Sequence, residues 1–501
     1  MSSEQNKSSP LIVEPLSSTS TEGRDDGGNG GSQSLDLEVT IDKPCSGTSL
    51  PLLLITANVG SIFDDPQSLM PQWMPQISQQ IKEQNPGFVA IHCQEVGGKK
   101  FEKNMANLDN FVTELCSLLT ELNFNKTVAF FDKNFAASEK FTALGSIYFL
   151  HESLNNVEIY DFQNQCYSRI NANSKHHYLG TIDDLSWVEK HKFPFQFFPE
   201  SRWFRKGYLR TRWRFSAEAI VDMVNIHLFP DKSNLKSVES VPSIYVNYRK
   251  RALCYTLDRI ANITTSVTLE AAVMHDPKPY FIFGDFNFRL DCKNVVKSLT
   301  ADLLDITPPD LQDSENNKQY VDKCSQELVL SIGKKEFALM MGADNMFRGE
   351  WRKWTPYDTE VSDIQDRLTE YPLAFPPTYP FVEDPNAGSS YMRTRCPAWC
   401  DRVLMSHQAK TLINDQDDNS AITYDVIGKD VCMGDHKPVF LRCKLKLTSS
   451  NLPRRPEMKV ESPSYTDLLN SPPPTATSSN GGCSRFMELK DSVKLFKETT
   501  V

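Results

Sequence analysis

An α/β sandwich is the fold class this sequence predicts, on three observations. Short apolar runs rich in β-branched and aromatic residues recur from Leu52 to about Leu447. Longer stretches with helix-spaced apolar positions lie between them. Polar residues able to do chemistry gather where the apolar runs stop, the rim on which α/β sheets build their sites.

Taken in order, LLLITA (Leu52 to Ala57), FVAIHCQE (Phe88 to Glu95), SIYFL (Ser146 to Leu150), AIVDMVNIHL (Ala219 to Leu228) and YFIFGD (Tyr280 to Asp285) are predicted strands. DRVLMS and PVFLRCKLKL, nearer the C-terminus, read the same way. Phe101 to Leu122 is a predicted helix, and so is Ile244 to Ile263, where Val246, Leu253, Leu257 and Ile260 recur at helical spacing. Residues 1–49, rich in Ser, Gly, Asp and Glu, bury too little apolar surface to order themselves. Residues 448–501 begin with a Ser/Pro-rich segment and read as a second disordered tail. Residues 50–447 are therefore expected to form one domain.

Composition narrows the function. Of the 501 residues, 40% are hydrophobic and 24% charged, as in an ordinary globular protein with a sizeable core. A formal net charge of -10 argues against a general nucleic-acid binder, which carries a basic surplus. The twelve cysteines form no C-x-x-C pair and no zinc-site spacing, so they read as reduced thiols of an intracellular chain. No apolar run approaches a membrane span, so membrane association is expected to be peripheral at most.

Asn58, Glu95, Asn225, His227, Asp285, Asn287, Asp401, Asp435 and His436 all sit at or just beyond strand ends. A carboxylate such as Glu95 suits a hard cation, because magnesium takes one or two carboxylates and leaves its other positions to water and phosphate oxygens. Asp285 and Asn287 are two apart, so an extended backbone points them the same way, and an Asp held by an amide can orient and deprotonate water. His436 suits charge stabilisation on a phosphoryl oxygen, with Asp401 fixing its imidazole. Each residue has a plainer role as well: Glu95 as solvated surface, Asp-x-Asn as a turn, Arg402 as the partner of a structural ion pair. Six basic residues lie between Arg202 and Arg214 without an acid, interleaved with aromatics. They suit a solvated basic strand pair, a single-stranded nucleic acid, or a compact polyphosphate.

The motifs Phe283-Gly284-Asp285-Phe286-Asn287-Phe288-Arg289-Leu290, Pro397-Ala398-Trp399-Cys400-Asp401-Arg402-Val403-Leu404 and Gly434-Asp435-His436-Lys437-Pro438-Val439, in that order, resemble the inositol polyphosphate 5-phosphatases. RKGYLRTRW, VNIHLF, FPPTYP and RCPAWCDRVLMS are similar to the type I branch that acts on inositol 1,4,5-trisphosphate. The resemblance spans roughly residues 50–447. It implies a four-layer α/β sandwich of the endonuclease/exonuclease/phosphatase type and Mg2+-dependent hydrolysis without a covalent phosphoenzyme. It also implies that Glu95 ligates Mg2+ with Asn58 beside it and Asp435 near the metal. Asp285 would activate water that Asn287 orients, His436 supported by Asp401 would contact the scissile phosphate, and Asn225 and His227 would contact phosphate. Cys400 would not be the nucleophile.

Lys206, Arg212, Arg393, Arg395 and Arg402 are the candidate substrate-binding residues. Lipid-cleaving members have Lys after Pro-Thr-Tyr; here Pro380 stands there, and Arg393 or Arg395 is expected to replace it. The implied substrates are soluble inositol 1,4,5-trisphosphate and 1,3,4,5-tetrakisphosphate, with termination of calcium signalling in the cytoplasm as the consequence. A same-fold nuclease and a non-catalytic inositol-phosphate scaffold are the rival functions. Thr499-Thr500-Val501 resembles a PDZ-domain ligand, whose carboxylate a backbone nest captures, and would place the enzyme near a membrane. Phe486, Leu489, Val493 and Phe496 form a helix-like stripe just before it.

Overall fold

The computed structural model describes residues 49–447 apart from 202–203, 262–277, 308–316, 341, 343 and 415–421. Both tails, with Thr499, Thr500, Val501 and the stripe from Phe486 to Phe496, lie outside the described residues.

The first sheet is built from β1 (Ser49–Asn58), β2 (Phe88–Gln94), β3 (Lys126–Asp132), β4 (Gly145–Leu150), β7 (Lys175–Gly180), β18 (Thr423–Val426) and β19 (Val439–Lys446), in the order β18-β19-β1-β2-β4-β3-β7. The second uses β5 (Glu158–Asp161), β6 (Cys166–Arg169), β9 (Gly207–Arg214), β10 (Ile220–His227), β11 (Tyr280–Asp285), β16 (Leu368–Thr369) and β17 (Asp401–Ser406). Its order is β16-β17-β11-β10-β9-β5-β6, with β8 (Glu189–Lys192) also paired to β9. β1 runs parallel to β2, and β10 parallel to β11.

Strand alternation sorts the side chains into layers. Leu52 and Leu54 of β1 face Phe281 and Phe283 of β11 in the core between the sheets. Leu53, Ile55 and Ala57 turn outward against the helices Pro66–Gln84 and Leu108–Thr120. Val224 and Ile226 of β10 pack outward against the helix Ile244–Ile260 through Tyr245, Leu253 and Leu257. Helix, sheet, sheet, helix is the α/β sandwich the sequence predicts, in the four layers that the family resemblance implies.

Three features went unpredicted. The helix Pro66–Gln84 contains Pro71 and Pro75, which disguise its periodicity. It still buries Leu69, Trp73, Ile77 and Ile81 along one stripe, starts at an Asp65 cap on Ser68 N (3.2 Å) and stops where Asn85 turns left-handed (φ 43°). The helix expected from Phe101 to Leu122 is interrupted by a 3₁₀ turn at Met105–Asn107. A separate four-stranded antiparallel sheet, β12 (Leu303–Asp305), β13 (Lys318–Asp322), β14 (Leu328–Gly333) and β15 (Glu336–Leu339), is inserted before β16.

Polar groups also lie between the sheets. Asn225 is fully buried; its amide donates to Gly145 O (2.8 Å) and Cys93 O (3.2 Å), and its oxygen accepts from Gln94 Nε2 (2.8 Å). Trp213 Nε1 donates to Thr211 Oγ1 (3.0 Å), whose hydroxyl donates to Tyr148 OH (2.8 Å). Tyr148 OH lies 3.2 Å from His92 Nε2, and His92 Nδ1 lies 3.2 Å from Phe283 O. A carbonyl only accepts, so Nδ1 carries the imidazole proton and the chain of donors runs one way.

Candidate active site

The ends of β1, β10, β11 and β17 and the turns after β2 and before β19 meet at one rim, and the carboxylate of Asp285 is its centre. Asp285 Oδ2 accepts from Asn58 Nδ2 (3.2 Å) and Asn287 Nδ2 (3.1 Å), with His227 Nε2 3.1 Å away. Asp285 Oδ1 accepts from Asn287 N (2.8 Å). Asn287 is left-handed (φ 53°), a conformation Asn tolerates, and this curls its amide back onto the carboxylate two residues earlier. Burial alone would raise the Asp285 carboxyl, but the charge on His436, the neighbouring His227 and Lys206 hold it well below the usual range. It is ionised throughout the neutral range.

His436 Nδ1 donates to Asp401 Oδ2 (2.8 Å), and Thr378 Oγ1 donates to the same oxygen (2.8 Å). Burial opposes the imidazolium, but Asp401 and Asp285 outweigh it and lift His436 to about 10. Burial pushes Asp401 up to about 6, so near pH 7 the pair is carboxylate and imidazolium. Asp285, Asp401 and His436 are close enough to hold a cation by distance alone, but the imidazolium already supplies their positive charge. Its second ring nitrogen is left for a ligand in the cavity that His436 lines.

Glu95 stands one residue past β2 in a left-handed conformation (φ 55°), strain of the kind that functional sites hold. Its side chain is 29% exposed. Burial raises it, but Lys206 (Nζ to Oε1 3.4 Å), His227 and Arg205 hold it down to about 2. A Cβ at Gly60 would come within 3.1 Å of Glu95 Oε2 and 3.3 Å of Asn58 Oδ1, so two oxygens from different strands face one small space. Hard oxygen donors with a single ionised carboxylate fit a hard divalent cation. Asp435 lies on the same cavity, its Oδ1 accepting from Ser61 Oγ (2.9 Å).

The cavity, of about 280 Å³, brings together Glu95, Lys206, Asp285, His436 and Arg395. It also takes in Arg289 and Tyr379, which sequence reasoning quoted within motifs without giving them a role. Arg289 Nη2 donates to Asn287 Oδ1 (2.7 Å), and its guanidinium lies 4.6 Å from the Tyr379 ring centroid. The His436 ring also packs on Tyr379, 4.5 Å between centroids. Arg289 is anchored from behind: its backbone N donates to Glu360 Oε1 (2.8 Å), and Glu360 also holds the fully buried Arg249 (2.7 Å).

Six candidates do not line the cavity: Asp401 and His227 stand just behind it, bonded to His436 and beside Asp285, and four others lie elsewhere. Asn225 is consumed by the inter-sheet hydrogen bonds given above, so it does not contact phosphate. Arg212 pairs with buried Asp222 (Nε to Oδ1 2.6 Å), five residues along β10 from His227 and thus roughly 17 Å from the rim. Its strand, β9, is internal to the second sheet, which corrects the solvated strand pair expected of the basic segment. Arg402 is buried against Glu370 (2.6 Å) and Asp358 (2.9 Å), the plainer of its two roles. Arg393 is exposed beside Met340 Sδ (4.0 Å). Cys400 is buried, with Sγ donating to Phe288 O (3.4 Å), and burial pushes its thiol well up, so it supplies no thiolate.

Residues 358–442 match the family model described as Endonuclease/Exonuclease/phosphatase family 2. The chain is similar to inositol polyphosphate-5-phosphatase A of Homo sapiens, 41% identical over 405 residues, covering 79% of this chain and 93% of that protein. It is similar to the probable type I inositol 1,4,5-trisphosphate 5-phosphatase of Caenorhabditis elegans, 34% identical over 422 residues, covering 78% and 98%. Among solved structures, the inositol polyphosphate 5-phosphatase domain of spSynaptojanin in complex with inositol (1,4)-bisphosphate and calcium aligns at 13% identity and a TM-score of 0.39, covering 80% of this chain and 85% of that one.

Proposed function

The chain belongs to the inositol polyphosphate 5-phosphatase family, and from that premise we propose that it hydrolyses the 5-phosphate of soluble inositol 1,4,5-trisphosphate and 1,3,4,5-tetrakisphosphate with Mg2+, terminating a calcium signal. The carrying observation is the ionised Asp285, gripped by Asn58 and Asn287 and standing beside the His436–Asp401 pair at the wall of a cavity edged with cations.

Asp285 orients a water for in-line attack on phosphorus and takes its proton as the new P–O bond forms. Asn287 keeps the carboxylate from turning away. His436 donates from its free ring nitrogen to a non-bridging phosphoryl oxygen, where negative charge concentrates, and Asp401 keeps that imidazole charged and oriented. Lys206 meets the phosphate from the cavity wall, and His227 behind it holds Lys206 and Asp285 in place. The inositol oxygen leaves with the electrons of the broken P–O bond and is protonated from solvent. Glu95 and Asn58, with Asp435 nearby, would hold Mg2+, which supplies charge neutralisation for the phosphate and the leaving oxygen. Arg395 binds a further phosphate.

No helix among the described residues is long and apolar enough to cross a membrane. A cytoplasmic enzyme brought near membranes by Thr499-Thr500-Val501 on a PDZ partner completes the proposal. The test is phosphate release from a panel of soluble and lipid inositides, with Mg2+ and with chelator. Release from inositol trisphosphate that chelator abolishes is expected; no release from any soluble polyphosphate would sink the proposal.

A further inference from the structure

The inserted four-stranded sheet joins the apolar core through Leu330, Ile332, Phe337 and Leu339, and one of its turns reaches the active-site cavity. β14 and β15 are joined by a two-residue turn, Lys334-Lys335, and Lys335 lines the cavity that holds Asp285 and His436. Lys232, in the loop after β10, lines it too. Both side chains are exposed, and neither forms an ion pair among the described residues, whereas Lys206 in the same cavity pairs with Glu95. Two ammonium groups without a carboxylate partner add positive field at the mouth of a site on a chain of net charge -10.

The turn is held in place. Asn234, buried just past Lys232, donates from its backbone N to Lys334 O (3.0 Å) and from its side-chain amide to Glu336 O (2.8 Å) and Thr394 O (3.0 Å). Phe337 N donates to Arg393 O (2.8 Å) on the same segment. Asn234 thus ties both sides of the Lys334-Lys335 turn to the chain that carries Arg395. A free hairpin tip would need none of these bonds.

We propose that Lys335, with Lys232, binds a ring phosphate other than the one cleaved, which makes the inserted sheet a specificity element of the reaction. This rests on the substrate class proposed above. An ammonium is a point charge without directional preference, so it suits a phosphate presented at the mouth of the cavity.

The test compares the full chain with Lys335→Met and Lys335→Arg in Mg2+, on inositol 1,4,5-trisphosphate, 4,5-bisphosphate and 1,5-bisphosphate. For the trisphosphate, Lys335→Met should raise KM about five- to tenfold with kcat within about twofold, and Lys335→Arg should restore most of it. On whichever bisphosphate lacks the contacted phosphate, Lys335→Met and the unmodified chain should share one KM, because the substitution then removes nothing. An unchanged KM on the trisphosphate, or an equal loss on all three substrates, would overturn the inference. An unmodified chain that releases no phosphate from any of the three would instead overturn the proposed function.

Discussion

Asn225 and His227 sit two residues apart on one strand, point to the same side of it, and end in opposite circumstances. Asn225 lies where the two sheets close on each other, and every hydrogen bond its amide offers is met by Gln94, Cys93 and Gly145. His227 lies where the sheets open, between Asp285 at 3.1 Å and Glu95 at 3.7 Å. One neighbourhood is neutral and sealed; the other is charged, with Lys206, Glu95 and Asp285 around the imidazole. A buried polar group that is satisfied contributes to specificity of folding, whereas one held against unneutralised charge keeps an interaction in reserve for a ligand.

Substitutions break that contrast in predictable order. Asp285→Asn should lower turnover by about a thousandfold or more while the melting temperature stays near that of the unmodified protein, as phosphate release and calorimetry would show. Near-normal turnover would remove Asp285 from the chemistry. Asn225→Ala should do the reverse. It takes one of the two acceptors from Gln94 Nε2 and a donor from two buried carbonyls, costing about 2–4 kcal/mol in urea unfolding, while the folded protein keeps its kcat.

Acid should separate the regions too. Burial depresses His92 to about 3, while in the unfolded chain an imidazole titrates near its ordinary value of 6.5. Its folded pKa is lowered, so the unfolded state binds the extra proton, and stability falls as pH drops from about 6.5 toward 3 at about 1.4 kcal/mol per unit. His92→Phe should flatten that slope in urea titrations at stepped pH; an unaltered slope would assign acid lability elsewhere. Gly60→Ala places a methyl between Glu95 and Asn58 and should raise the Mg2+ concentration for half-maximal activity several-fold, with substrate KM at saturating Mg2+ little altered. Arg393→Ala, at the small end, should leave KM within about twofold, because its side chain lies off the cavity.

Strand ends were legible because apolar runs of five to ten residues stop abruptly at Asn58, Glu95, His227 and Asp285, and those stops are the rim. Depth along a strand was not legible. The sequence around Asn225 and His227 carries no mark of which residue the second sheet covers, since that depends on β2 and β4, 131 and 80 residues away in sequence from Asn225. The basic run from Arg205 to Arg214 misled for the same reason: Arg210 and Arg212 answer to Asp222, a single buried carboxylate on the next strand. Lys335 escaped notice because a two-residue turn between short strands carries no motif. Arg289 was in view inside FNFRL, but only folding brings Glu360 behind it and Tyr379 beneath it.

The one-way run of donors from Trp213 through Thr211 and Tyr148 to His92 also amounts to a clock. Its indole and imidazole protons sit between the sheets and meet deuterium only when the sheets part. Their exchange rate should therefore track whole-molecule opening, while amides around Lys334 and Lys335 exchange through local motion alone. A ligand that slows the turn without slowing the inner protons would be seen to act on the inserted sheet and not on the sandwich.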